Sequence, residues 1–116
     1  MEVRQHTSSN VTVLTIRGRI DTYSVHLLQQ QMDHALLTKS SALVVDLSGV
    51  DFMDSSGLAV LVQSMKKCRE RSGDLRLSNP QRSVRMILEL TRLDKAIEIF
   101  PSEADAVASF GLRHSV

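Results

Sequence analysis

Residues 43–58 read LVVDLSGVDFMDSSGL, and this stretch decides the fold. Residues 42–47 are apolar except for Asp46, and such a run is typical of a strand that helices cover on both faces. Residues 48–54 predict a loop, and the helix that follows places Leu58 and later apolar residues on one side. A buried strand, a loop and a helix in this order predict an α/β fold whose sheet is largely parallel.

Upstream of this stretch, the chain predicts a β-hairpin and a helix. Residues 2–6 and 11–16 are the two strands, and the turn-forming residues 7–10 join them. Gly18 is expected to break the second strand. The helix begins near Val25, and its apolar stripe consists of Val25, Leu28, Met32, Ala35 and Leu36. The hairpin adds an antiparallel strand, so we predict a mixed sheet.

Downstream, the chain predicts two more strands and three helices. The second helix is followed by a short strand at residues 75–77, and a third helix starts at Asn79-Pro80. This third helix is expected to turn Val84, Ile87, Leu88 and Leu90 inward. Residues 96–100 predict the fifth strand, and a last helix ends at Gly111. The order is therefore β-β-α-β-α-β-α-β-α, with about four helices and a mixed, mostly parallel sheet.

The composition fits one globular domain and excludes several classes of protein. The 116 residues are 42% hydrophobic and 23% charged, with a net charge of +1, a balance that argues against disorder and against bulk attraction to nucleic acid. No apolar run approaches the roughly 20 residues that span a bilayer, so no direct membrane insertion is expected. Cys68 is the only cysteine, which favours a reducing compartment and a cytoplasmic location. We expect residues 1–116 to form a single domain.

Chemistry in an open α/β sheet is expected at the carboxyl ends of the strands, where residues 18–22 and 51–58 are predicted loops. In the second loop, Ser55 follows Asp54 where a helix begins, and the free N–H groups of a helix start favour an anion. Phosphorylation of a serine at this helix start, Ser55 or Ser56, would add roughly −1.5 to −2 charge beside Asp54 and would repel an acidic partner. The same residues also fit a simple N-cap with a spare hydroxyl. The tetrapeptide Asp54-Ser55-Ser56-Gly57 alone leaves both interpretations open.

Residues 43–58 closely resemble the signature of the bacterial anti-sigma factor antagonists, a STAS-domain family. The tetrapeptide GRID at residues 18–21 resembles the Gly-x-Leu-Asp motif that follows the family's second strand. Residues 79–93 are similar in apolar spacing to its third helix. The order of the predicted elements agrees as well, so the resemblance covers nearly the whole chain.

The resemblance implies a switch protein that has no catalysis and no cofactor of its own. In this family the unphosphorylated domain binds an anti-sigma factor, which is also a serine kinase, and thereby frees the sigma factor. The kinase then phosphorylates the serine after the motif's aspartate, and a PP2C-type phosphatase removes the phosphate. Carried over to this sequence, the phosphoacceptor is Ser55. The partner-facing residues that the resemblance implies are Asp21, Thr22, Asp54, Ser55, Ser56 and Gly57.

Two features leave room for a different regulation. Asp51 occupies a position where small or polar residues such as Ser or Thr are frequent in the family, and we hypothesise that the extra carboxylate makes phosphorylation of Ser55 less favourable. Some members of the family act without phosphorylation. The alternative function is therefore a phosphorylation-independent docking component of a membrane-transport or stress-signalling assembly.

Carboxylates and histidines elsewhere give weaker signals for a metal site. Asp46, Asp51 and Asp54 could be imagined around a magnesium ion, but Asp46 lies inside a predicted strand and the three need not converge. The histidines are scattered, without the spacing of metal ligands: His6, His26, His34 and His114. No metal is expected.

Enzymatic and nucleic-acid functions are also not expected. Residues 53–57 lack the first glycine of a Gly-x-Ser-x-Gly elbow, and no histidine falls at another predicted loop on the same rim, which argues against a serine hydrolase. Cys68 falls on the apolar stripe of the second helix and is expected in the core. Four cations near the end of that helix predict a solvated helix end: Lys66, Lys67, Arg69 and Arg71.

Overall fold

The computed structural model describes residues 1–111, so His114 lies outside the described residues. Its elements follow the predicted order. They are β1 (Glu2–Ser8), β2 (Val11–Ile20), α1 (Val25–Thr38), β3 (Ala42–Met53), α2 (Ser55–Glu70), β4 (Asp74–Ser78), α3 (Arg82–Leu90), a 3-10 turn (Leu93–Lys95), β5 (Ile99–Phe100) and α4 (Glu103–Gly111).

The five strands form one sheet in the order β1-β2-β3-β4-β5. β1 pairs with β2 antiparallel, and the other three pairs are parallel, because a helix connects each of those strands to the next. The predicted α/β class, the N-terminal hairpin and the mixed, mostly parallel sheet are confirmed.

Helices cover the sheet on both faces. Neighbouring residues of a strand point to opposite faces, and on β3 Val45 belongs to the larger core cluster while Val44 belongs to the smaller one. The larger cluster joins the sheet to α1, α2 and α3, and the smaller one joins it to α4. This explains the nearly unbroken apolar run at the start of β3, as the sequence predicts.

The predicted ends of β2 and β3 are wrong. Gly18 does not break β2, which continues to Ile20, and the predicted loop at residues 48–54 is strand as far as Met53. The two strands stay paired to the end of this extension, where Ile20 lies opposite Met53. Two register shifts absorb the irregular sequence, and Gly18 adopts a φ of 102°, which other residues rarely reach.

The region after β4 also departs from the prediction. α3 starts at Arg82 instead of Asn79-Pro80, and Leu90, predicted to face inward, is 77% exposed. The strand predicted at residues 96–100 is only Ile99–Phe100, because the backbone N–H groups of Ala96 and Ile97 still donate to Leu93 O in the 3-10 turn. Val84 and Leu88 of α3 are buried as predicted, so the inward face of this helix is narrower than its sequence indicates.

Arg76 on β4 fixes α4 against the sheet. Its side chain is buried, its Nε lies 3.3 Å from Asp74 Oδ2, and its Nη1 donates to Ser109 Oγ at 2.6 Å. The guanidinium also lies 4.1 Å from the ring centroid of Phe110. Because Ser109 and Phe110 belong to α4, one buried cation joins this helix to the strand.

Arg76→Ala is expected to lower the free energy of unfolding by about 3 kcal/mol, because it removes one partner of a buried carboxylate and opens a cavity. Arg17→Ala on the exposed side of β2 is the control and is expected to change stability by less than about 0.5 kcal/mol. Chemical denaturation measures both variants. Equal midpoints for the two would contradict the anchoring role of Arg76.

Candidate functional site

The loops after β2 and β3 meet at the carboxyl edge of the sheet. Ile20 and Met53 are opposite each other at the ends of the two parallel strands, so Asp21 and Asp54 both follow directly at this edge. The backbone N–H of Asp54 donates to Ile20 O at 3.1 Å. The extra length of β2 and β3, which the sequence did not reveal, therefore determines how the two loops are placed.

Asp54 caps α2. Its Oδ1 accepts from Ser56 N at 2.9 Å and from Gly57 N at 3.4 Å, and it also accepts a short hydrogen bond from the Ser56 hydroxyl. Its Oδ2 lies 3.5 Å from Thr22 Oγ1, which donates to it across from the other loop. The Ser56 hydroxyl and the backbone N–H groups lower the pKa of Asp54, since they stabilise the charged carboxylate.

Asp21 orders the loop between β2 and α1. Its Oδ1 accepts from the backbone N–H groups of Tyr23 at 3.0 Å and Ser24 at 3.1 Å, and its carbonyl accepts from Val25 N at 2.8 Å as α1 begins. Partial loss of water raises the pKa of Asp21, but hydrogen bonds from Ser24 and Tyr23 outweigh this effect and leave that pKa lowered. The carboxylate is therefore charged at neutral pH.

The two serines at the start of α2 differ in availability. Ser55 is the first residue of the helix and is exposed, and its hydroxyl makes no hydrogen bond to any residue in the range 1–111. The Ser56 hydroxyl is tied to Asp54. Of the two hydroxyls, that of Ser55 is therefore the one that points free into solvent, at the residue that the sequence singles out.

Gly57 lies beneath this surface. It is buried, and a Cβ added to it would lie 2.7 Å from Ile20 Cγ2 and 2.8 Å from Met53 Cγ. The first turn of α2 therefore packs against the ends of β2 and β3 at a distance that only glycine allows.

The structure brings five of the six predicted partner-facing residues to one edge, and we call this surface the Ser55 rim: Asp21, Thr22, Asp54, Ser55 and Ser56. Gly57 supports the rim from below. Asp51 lies on β3, with an exposed side chain and a carbonyl that accepts from Ser83 Oγ at 3.4 Å. Asp51 is thus linked to α3 by its backbone.

Sequence reasoning missed the aromatic side chains beside the rim. The Arg19 guanidinium lies 4.1 Å from the ring centroid of Phe52, and Tyr23 is 89% exposed. Arg19 and Phe52 are opposite each other only because β2 and β3 continue past the predicted ends. The sequence does offer a reason to consider Tyr23 as a rim residue, since it is the one tyrosine of the chain and follows Thr22.

The weaker candidates do not assemble into a site among residues 1–111. No group of three or more potential metal ligands occurs in this range, and Asp46 accepts from Ser48 N at 3.1 Å within its own strand. Cys68 is buried in the core as expected, and burial raises the pKa of its thiol to about 12. None of the helices described is long and apolar enough to cross a membrane.

Asp54→Asn is expected to weaken the acid dependence of stability. The pKa of Asp54 in the folded protein lies below its ordinary value of 3.8, so the unfolded chain takes up the proton more readily. The stabilisation is complete above the unfolded-state pKa and is lost as the pH falls through the folded-state pKa. Denaturation of both proteins from about pH 2 to pH 6 measures this difference. Curves that run parallel over the whole range would contradict the cap assignment.

Gly57→Ala is expected to lower the free energy of unfolding by about 1–3 kcal/mol, because the added methyl group forces α2 away from Ile20 and Met53. Gly111→Ala is the control, since a Cβ there lies more than 4 Å from the other atoms of residues 1–111. Thermal denaturation compares the two. A Gly57→Ala protein as stable as Gly111→Ala would show that the close approach is not needed.

The chain is similar to known proteins along most of its length. The STAS domain model matches residues 2–106. A Mycobacterium tuberculosis protein, "Anti-sigma-F factor antagonist RsfA", is 32% identical over 107 residues, which are 90% of this chain and 83% of that protein. The crystal structure of an anti-sigma factor antagonist from Mycobacterium paratuberculosis has a TM-score of 0.85 at 28% identity, covering 93% of this chain and 92% of that one.

The fold is also that of SpoIIAA, an anti-sigma factor antagonist. Its unphosphorylated form has a TM-score of 0.81 at 20% identity and covers 99% of both chains. The phosphorylated form of the Bacillus protein has a TM-score of 0.73 at 18% identity, covering 94% of this chain and 99% of that one. The family match along most of the chain, together with the relative at 32% identity, shows that the chain belongs to the STAS domain family, as the motif at residues 43–58 predicts.

Proposed function

We propose that this protein is an anti-sigma factor antagonist that works by partner switching in the cytoplasm. Its unphosphorylated form binds an anti-sigma factor serine kinase and releases the sigma factor. Phosphorylation of Ser55 ends this binding, and a PP2C-type phosphatase restores it. The similarity to proteins named as anti-sigma factor antagonists supports this role. In this proposal the single domain acts by binding and carries out no catalysis.

The observation that supports the proposal most is the free, exposed hydroxyl of Ser55 on an otherwise ordered surface. A kinase needs a hydroxyl that it can reach, and a switch needs that hydroxyl to lie inside the docking surface. Ser55 meets both needs, because it is exposed and stands between Asp54 and Ser56 on the rim. Partner contacts are assigned to the rim residues, with Gly57 setting the position of the helix beneath them.

A phosphate on Ser55 would stay exposed to the partner, because the N–H groups at the start of α2 would not bind it. The N–H groups of Ser56 and Gly57 already donate to Asp54, so the helix start is occupied by a carboxylate. A phosphate adds roughly −1.5 to −2 charge and three acceptor oxygens next to the charged Asp54. A docked protein would lose close contact at this point and face an unpaired dianion, which costs several kcal/mol at an interface centre.

Ser55→Asp is expected to weaken binding to the purified anti-sigma factor kinase by about 30-fold or more, because it places a charge on the rim. Ser55→Ala is expected to bind like the wild type and to accept no phosphate. Ser9→Asp is the matched control, since Ser9 is an exposed serine in the turn between β1 and β2, at the opposite end of β2 from the rim. Its affinity is expected within about twofold of the wild type. Titration calorimetry measures all four proteins.

Tight binding by Ser55→Asp would contradict the switch. A complex that assembles equally with all variants, and that persists with ATP, would instead support the phosphorylation-independent docking role. Weak binding by both Ser55→Asp and Ser9→Asp would show a general effect of added negative charge and would remove the special role of Ser55.

A further inference from the structure

Two aromatic side chains are exposed next to the Ser55 rim. The chain has only one tyrosine, three phenylalanines and no tryptophan. Phe100 and Phe110 pack partly buried against the smaller core cluster, whereas Tyr23 is 89% exposed and Phe52 is 38% exposed. Aromatic side chains are enriched at protein interfaces and dominate their energetics.

The backbone of Tyr23 is tied to the residues around Ser55. Its backbone N–H donates to Asp21 Oδ1 at 3.0 Å, and the preceding Thr22 donates to Asp54 Oδ2 at 3.5 Å. The loop is therefore tied to the residue that caps α2. A ring presented by an ordered backbone loses little conformational entropy when it is buried by a partner.

Phe52 belongs to the same connected surface. The Arg19 guanidinium lies 4.1 Å from the centroid of its ring, and Arg19 Nε lies 3.6 Å from Asp21 Oδ2. Asp21 thus contacts both the arginine that packs on Phe52 and the backbone of Tyr23. Through Arg19 and Asp21, these contacts connect both rings to the Ser55 rim.

We infer that Tyr23 and Phe52 are the aromatic anchors by which the anti-sigma factor kinase is held while Ser55 is unmodified. The inference rests on the proposed function and names the residues that select the partner. The partner is a protein surface with an apolar pocket of the size of a phenol ring beside the place where it meets Ser55. Tyr23 supplies the larger contact, since almost its whole ring is available for burial, and Phe52 with Arg19 forms the adjoining contact.

The other large exposed apolar side chains provide controls. Leu37 lies on α1, and Met86 and Leu90 lie on α3, all outside the Ser55 rim. Leu37 is 69% exposed, so its removal changes exposed apolar area without touching the proposed anchors. Truncation of the Tyr23 side chain is also expected to leave the fold unchanged, because the exposed ring contributes little to the core.

The test measures affinity for the purified anti-sigma factor kinase together with the kinetics of Ser55 phosphorylation. Tyr23→Ala is expected to weaken binding by about 30-fold and Phe52→Ala by about tenfold. Tyr23→Phe, which keeps the ring, and Leu37→Ala are expected to stay within about twofold of the wild type. The KM for phosphorylation rises with the loss of affinity while kcat is retained, because Ser55 itself is unchanged.

One outcome would overturn the anchors and leave the proposed function standing. In this outcome Tyr23→Ala and Phe52→Ala both bind with wild-type affinity, while Ser55→Asp still weakens binding. An equal loss in Leu37→Ala would also overturn them, since it would show a nonspecific effect of exposed apolar area. Failure of the wild type to bind any anti-sigma factor kinase would overturn both proposals.

Discussion

The Asp54 carboxylate holds the Ser55 rim together. It accepts hydrogen bonds from the start of α2 and from Thr22 of the preceding loop, so one side chain fixes both loops at the carboxyl edge of the sheet. Gly57 makes the arrangement possible, because any larger residue would push α2 away from Ile20 and Met53. The position of Ser55 follows from these contacts, although Ser55 makes none of them.

The division of work between Ser55 and Ser56 suits a reversible modification. The Ser56 hydroxyl stabilises the cap, and the Ser55 hydroxyl carries no structural hydrogen bond among residues 1–111. Modification of Ser55 therefore changes charge and shape at the surface without removing a bond that holds the fold. The proposed switch acts on docking. It leaves intact the packing beneath the rim and the distant contact of Arg76 with α4.

The sequence predicted the fold class, the order of the elements and the start of α2 at Ser55, because these depend on local periodicity and on the motif at residues 43–58. It did not predict the full length of β2 and β3, since Gly18, Gly49 and Asp51 each favour turns when read one at a time. Parallel pairing outweighs those local preferences. The stacking of Arg19 on Phe52 could not be predicted, because both residues were expected in loops. It depends on how β2 and β3 pair beyond their predicted ends.

The most direct test of the account is the affinity of one protein preparation for the anti-sigma factor kinase before phosphorylation, after it, and after phosphatase treatment. Mass spectrometry locates the phosphate in each sample. We expect stoichiometric phosphate on Ser55, a loss of affinity of about 100-fold and full recovery once a PP2C-type phosphatase removes the phosphate. Unchanged affinity with Ser55 fully phosphorylated, or modification that never reaches Ser55, would contradict the account.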